Sequence, residues 1–145
     1  ASAKLRYRLD RPTPRVQAGL ALRGLASAAV DLSDGLAADL GHVLAASGVG
    51  ARLELGRLPT SRTLADHIAE PRRWELQLSG GDDYELCFTA PPQAALAIEQ
   101  ALAAAGVAAT VVGQLHAGHG IELRTPEGEA FAPPALGYEH FTGAA

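Results

Sequence analysis

The stretch from Ala28 to Leu55 constrains the fold more than any other part of the chain. Ala28-Ala29-Val30-Asp31-Leu32 is a short, mostly apolar run containing one carboxylate, and it reads as a buried strand. Ser33-Asp34-Gly35 follows at once. Leu36, Leu40, Val43, Leu44 and Ser47 then recur at helical spacing until Gly48 supplies a left-handed cap. Ala51 to Leu55 alternates with period two and is stopped by Gly56 and Pro59. A strand, a tight turn, an amphipathic helix and a second strand in direct succession suggest layers of mixed helix and strand, because the helix must bury its apolar stripe against another element.

The flanking segments extend this pattern. Ala18, Leu22 and Leu25 mark a helix from Pro14 to about Leu25, and Thr60 or Ser61 caps a short helix through about Ala69. Arg72 to Leu78 fits helix or strand. After Gly80-Gly81, Tyr84 to Thr89 has strand composition, with Cys87 in its middle. Ala95, Ile98, Leu102 and Ala105 predict a helix from near Pro92 to Gly106. Ala109 to Leu115 and Ile121 to Arg124 read as strands around His116-Ala117-Gly118-His119-Gly120. Residues 4–15 alternate apolar and basic side chains and then meet Pro12 and Pro14, so 1–13 reads as an extended lead-in and 14–145 as the domain. The expected class is α+β, a layered α/β sandwich with a mixed or mainly antiparallel sheet.

At 145 residues the chain has room for one ordinary domain with a sizeable core. Hydrophobic residues at 48% and charged residues at 19% exclude a disordered or coiled-coil chain. The net charge of −4 conceals an asymmetry: five of the 12 basic residues lie in residues 1–15, which hold only Asp10 of the 16 acids. The acidic remainder argues against nucleic-acid partners and suits a domain that collects cations. A single cysteine excludes a disulfide framework and a multi-cysteine zinc site. No apolar run approaches the roughly 18 to 20 residues that cross a membrane, so neither a membrane nor a nucleic acid is expected as a partner, and the expected location is cytoplasmic.

Three constellations are candidates for chemistry. In Asp31-Leu32-Ser33-Asp34-Gly35 two carboxylates flank a hydroxyl at the mouth of a helix, a set suited to magnesium-bridged phosphate. Capping by Ser33 or Asp34 is the plainer reading, and it leaves Asp31 unexplained. In Gly80-Gly81-Asp82-Asp83-Tyr84-Glu85-Leu86 the glycines permit close backbone approach to a ligand, or simply make a solvated turn. In Gly137-Tyr138-Glu139-His140-Phe141 an aromatic either stacks on a flat ligand or pins the chain end to the core. His116 and His119 lack a third metal ligand at suitable spacing, and no local pattern makes Cys87 a nucleophile.

Arg11-Pro12-Thr13-Pro14-Arg15-Val16, Val30 to Ala37, Gly80 to Leu86 and Gly137 to Phe141 resemble, in order and spacing, the C-terminal half of bacterial thiamine-monophosphate kinase. That family is similar in fold to aminoimidazole-ribonucleotide synthetase, whose C-terminal domain is the model for the sandwich expected here. The resemblance implies transfer of the ATP γ-phosphoryl group to thiamine phosphate, giving thiamine diphosphate and ADP, with several Mg2+ ions. It implies Asp31 and Asp34 as magnesium ligands, Ser33 as an ATP contact, and Asp82 and Tyr138 as substrate contacts. The family usually has Glu where Asp82 stands and often Trp where Tyr138 stands. It also implies an N-terminal domain carrying further aspartates, most ATP contacts and the interface of a homodimer, with no counterpart before Pro12. The expectation is thus an excised C-terminal domain, inactive alone. The alternative is a non-catalytic ligand-binding or interaction module of the same fold.

Overall fold

The computed structural model describes residues 2–134. The elements are α1 (Ser2–Asp10), α2 (Val16–Ala21), β1 (Ala28–Asp31), α3 (Leu36–Ser47), β2 (Val49–Glu54), α4 (Arg62–His67), α5 (Arg72–Ser79), β3 (Leu86–Thr89), α6 (Ala95–Ala104), β4 (Gly113–Ala117) and β5 (Ile121–Arg124). β1 and β3 form an antiparallel ribbon, with Val30 opposite Cys87 and Asp31 opposite Leu86. A second sheet has the order β4-β2-β5, β2 running antiparallel to β4 and parallel to β5. Helices, a mixed sheet and an antiparallel ribbon make the expected α+β sandwich. β4 and β5 do not pair with each other. Gly118 and Gly120, both at positive φ, carry the chain past the start of β2, and the Ala51 N–H donates to the Gly120 carbonyl at 2.9 Å.

Two apolar clusters hold the layers. Leu36, Ala37, Leu40 and Leu44 of α3 pack with Ala51 and Leu53 of β2, Leu123 of β5, and Trp74 and Leu78 of α5. Burial of each such leucine stabilises the fold by about 1.5 to 3 kcal/mol. Phe131 meets Trp74 edge-on, with ring centroids 5.7 Å apart. The second cluster joins Ala18 and Leu22 to Ile98 and Leu102 of α6, with Leu86 and Phe88 against it. Because side chains alternate along a strand, β3 sends Cys87 to the first cluster and Leu86 and Phe88 to the second. One short ribbon thereby joins both layers.

The helix from Leu36 to the left-handed Gly48 follows the sequence pattern, and Ser61 caps α4 by accepting from the Leu64 N–H at 3.2 Å. Trp74 and Leu78, four apart and both buried, resolve the ambiguous stretch as helix α5. Three expectations need correction. Residues 4–10 are helical rather than extended, because Leu5 and Leu9 share a face, Arg6 pairs with Asp10 at 3.5 Å, and the prolines intervene only after the helix has ended. The strand predicted from Tyr84 begins at Leu86, since Asp82 and Tyr84 take positive φ of 63° and 49°. The strand predicted from Ala109 begins at Gly113, although the Val112 carbonyl already accepts from the Glu54 N–H at 2.9 Å.

Candidate functional site

The turn between β1 and α3 is organised by a residue that the sequence pattern did not single out. Asp39, in the first turn of α3, is only 4% exposed. Its Oδ2 accepts from the backbone N–H groups of Ser33, Asp34 and Gly35 at 2.9, 3.0 and 3.2 Å. Neither Ser33 nor Asp34 caps the helix; Gly35 stands at the N-cap with no side-chain bond, at φ 117°. A Cβ at Gly35 would lie 2.9 Å from the Leu78 carbonyl oxygen, so the approach of α5 also requires glycine there. The capping reading of Ser33 and Asp34 is therefore set aside. An acid on the apolar face of a helix, three residues after Leu36, was the available signal for Asp39.

The Gly80–Leu86 segment is zipped onto this turn. The Leu32 N–H donates to the Glu85 carbonyl at 2.9 Å, and in return the Tyr84 N–H donates to the Leu32 carbonyl at 2.8 Å. One step further, the Asp82 N–H donates to the Ser33 carbonyl at 2.9 Å. A Cβ at Gly81 would lie 2.5 Å from that same Ser33 oxygen. The bonds thus bring the Asp31–Gly35 turn and the Asp82–Glu85 segment to one edge of the ribbon. Both backbone polar groups of Ser33 are committed, which leaves its hydroxyl as the group available to a ligand.

Charge at this edge is concentrated and negative. The Tyr84 hydroxyl donates to Asp82 Oδ1 at 3.3 Å, and the Asp82 charge, that bond, and then Asp31 and Asp34 raise the phenol above its ordinary range. Partial desolvation raises the Asp83 carboxyl against the pull of Arg8. Behind the acids stands an ion-paired clamp. Arg15 donates to both carboxylate oxygens of Glu85, from Nε at 2.8 Å and from Nη2 at 2.7 Å, and Arg8 of α1 donates to Glu85 and to the Asp83 carbonyl. The bonds from Arg15, and after them those from Arg8, hold the Glu85 carboxyl below its ordinary range despite partial burial. A shallow depression of about 350 Å³ lies alongside, lined by Pro12, Pro14, Val16, Asp31, Tyr84 and Leu86 among others.

Asp31 is exposed at the end of β1, and Asp34 and Ser33 are half-buried on the turn. Among the described residues no group of three or more His, Cys, Asp or Glu is arranged to hold a metal ion. Two carboxylates and a hydroxyl on a turn whose N–H groups face inward are nevertheless hard oxygen donors that fit magnesium. Magnesium commonly takes one or two carboxylates and fills its other positions with water and phosphate oxygens. Asp82 sits across the zipper from Ser33, and Tyr138 and the rest of the Gly137–Phe141 motif lie outside the described residues. His116 lies on β4 against Gly50 and near Glu122 at 3.8 Å. Burial, with Asp39 adding to it, pushes the Cys87 thiol up to about 11, consistent with an inert core residue. No helix among the described residues is long and apolar enough to cross a membrane.

Residues 6–126 match the family described as AIR synthase related protein, C-terminal domain. The chain is 45% identical over 132 residues to the thiamine-monophosphate kinase of Salmonella typhimurium, an alignment covering 90% of this chain and 40% of that protein. The solved thiamine-monophosphate kinase of Stenotrophomonas maltophilia superposes with a TM-score of 0.81 at 44% identity, covering 88% of this chain and 40% of that one. A further solved relative, complexed with AMPPCP and TMP, superposes with a TM-score of 0.75 at 29% identity, covering 96% and 41% of the two chains. The chain thus spans about 40% of the length of the curated relatives it matches.

Proposed function

Because the chain belongs to the AIR synthase related protein family, C-terminal domain, and resembles thiamine-monophosphate kinases over most of its length, we propose that it is the substrate- and metal-binding part of such a kinase. The reaction is attack by a phosphate oxygen of thiamine phosphate on the γ-phosphorus of ATP, with cleavage of the bond to the β–γ bridging oxygen. The products are thiamine diphosphate and ADP. The observation that supports the reading is the zipper between Leu32–Ser33 and Asp82–Glu85, which brings the Asp31–Asp34 turn and Asp82 to one edge.

Asp31 and Asp34 would hold Mg2+, which when bound neutralises charge on the transferring phosphates. Ser33 offers its hydroxyl to an ATP phosphate. Asp82 accepts a hydrogen bond from the thiamine end of the acceptor, the end to which the family resemblance also assigns Tyr138, outside the described residues. The Arg8–Glu85–Arg15 clamp keeps the Asp82 segment from relaxing outward. Phosphoryl transfer depends on positioning and charge neutralisation, and among the described residues no group of three or more His, Cys, Asp or Glu is arranged to hold a metal ion. The remaining ATP contacts, the remaining magnesium ligands and the homodimer interface belong, in this reading, to the further length found in the relatives.

The test is a chimera in which this chain replaces the matching part of a full-length thiamine-monophosphate kinase. Magnesium-dependent ADP formation on addition of thiamine phosphate is expected from the chimera, and none above background from the 145-residue chain alone. Asp31→Asn and Asp34→Asn in the chimera should each lower turnover by about a hundredfold or more, with little change in melting temperature. Near-normal turnover in both variants would remove the metal assignment. No turnover from the chimera itself would favour a binding module without catalysis.

A further inference from the structure

We infer that Asp39 is a positioning residue that sets the polarity of the Asp31–Gly35 turn: it occupies the N–H groups that would otherwise take an anion, so that only oxygen donors face outward. The inference rests on the metal reading above and deepens it. A helix N-terminus following a tight turn ordinarily presents unpaired N–H groups and attracts phosphate or carboxylate. Here the protein supplies an anion to the three N–H groups that lead into the helix. A single carboxylate oxygen takes all three N–H groups of Ser33, Asp34 and Gly35, within a residue that is 4% exposed.

Two consequences follow from the geometry. With the N–H groups of Ser33, Asp34 and Gly35 bonded to Asp39, the carboxylates of Asp31 and Asp34 and the Ser33 hydroxyl are the polar groups the turn offers a ligand. A phosphate then reaches the Ser33–Gly35 segment through a cation or a hydroxyl and not through these three backbone amides. Second, Asp39 couples the turn to the core. It sits between Leu36 and Leu40 on the buried face of α3, and its charge is felt at Cys87 of β3. The spacing of Asp31 and Asp34 is thereby tied to the packing of α3 on the ribbon rather than to the loop's own conformational preferences. Leu32 and Ser33 are fixed from the other side by the bonds to Tyr84 and Asp82.

The experiment uses the 145-residue chain with three variants, Asp39→Asn, Asp39→Glu and Asp31→Asn. Mn2+ and inorganic phosphate serve as probes, read by paramagnetic broadening and amide shifts in NMR spectra. Asp39→Asn keeps shape and removes charge; Asp39→Glu keeps charge and moves it by one methylene. If Asp39 positions the turn, both should weaken Mn2+ binding by about tenfold or more, since charge-assisted bonds are roughly twice as strong as neutral ones. Both should also speed hydrogen exchange at Ser33, Asp34 and Gly35 by a similar factor, with Leu44 and Leu53 unchanged. Phosphate should shift those three amides in Asp39→Asn and leave them unmoved in the parent chain. Wild-type Mn2+ affinity in Asp39→Glu would reduce Asp39 to one more negative charge and overturn the inference, as would phosphate binding at these amides in the parent. Exchange at the three amides that is unaltered in both Asp39 variants would also overturn it. If Asp31→Asn leaves Mn2+ binding intact while the exchange and phosphate results hold, the metal reading fails and the role of Asp39 stands.

Discussion

Gly81→Ala tests whether the two halves of the site depend on backbone contact. The added Cβ would stand 2.5 Å from the Ser33 carbonyl oxygen, a fixed backbone atom, with Asp34 Cα at 3.6 Å. Ordinary contact would require the segments to separate by most of an ångström, and the bond that suffers first is Asp82 N–H to that same oxygen, now 2.9 Å. Overpacking of this kind costs about 1 to 3 kcal/mol, and one weakened bond adds about 0.5 to 1.5. The total expected is about 2 to 4 kcal/mol. Gly41→Ala is the matched control, because nothing lies within 4 Å of its Cβ position in α3. Alanine there should stabilise by about 0.5 to 1 kcal/mol through helix propensity. Urea unfolding followed by the fluorescence of buried Trp74 measures both. The Gly81→Ala midpoint should fall by about 1 M or more. In the chimera, turnover should fall further than that stability loss explains. Equal stability of Gly81→Ala and the parent, with unchanged amide exchange at Asp82 and Tyr84, would refute the zipper as the element that aligns the site.

The depressed Glu85 carboxyl makes the clamp acid-sensitive: its stabilisation is complete above the ordinary value of 4.5 and is lost as pH falls through the lower folded value. Glu85→Gln should cost about 1 kcal/mol near neutrality, small because the pair is partly exposed, and the gap to the parent in thermal melts should close in acid; a gap independent of pH would show that the ion pairs do not carry it. Cys87, raised from 9.0 to about 11, should react with an aromatic disulfide at pH 8 about a hundredfold more slowly in the native chain than in urea, and equal rates would contradict its burial in the ribbon.

The elements with a strong local period could be read from the chain alone. α3 with its Gly48 cap, α6 with Ile98 and Leu102, and the capped α4 rest on spacings of three and four residues and on capping chemistry, which act within a few residues. The Asp31–Gly35 turn and the Gly80–Leu86 segment stood out as clusters of carboxylates and glycines beside strands, and the family resemblance assigned roles to Asp31, Ser33, Asp34 and Asp82. What joins them was not visible. The zipper pairs residues about fifty positions apart, Arg15 reaches Glu85 across 70, and β5 lies beside β2 rather than beside β4. No local propensity encodes such contacts, because they depend on which layers meet once the apolar faces are buried. Asp39 shows the same division. In sequence it is one acid in the first turn of a helix, and only the packing of α3 against α5 and the β1–β3 ribbon buries it beneath the turn, where its carboxylate accepts from three backbone N–H groups.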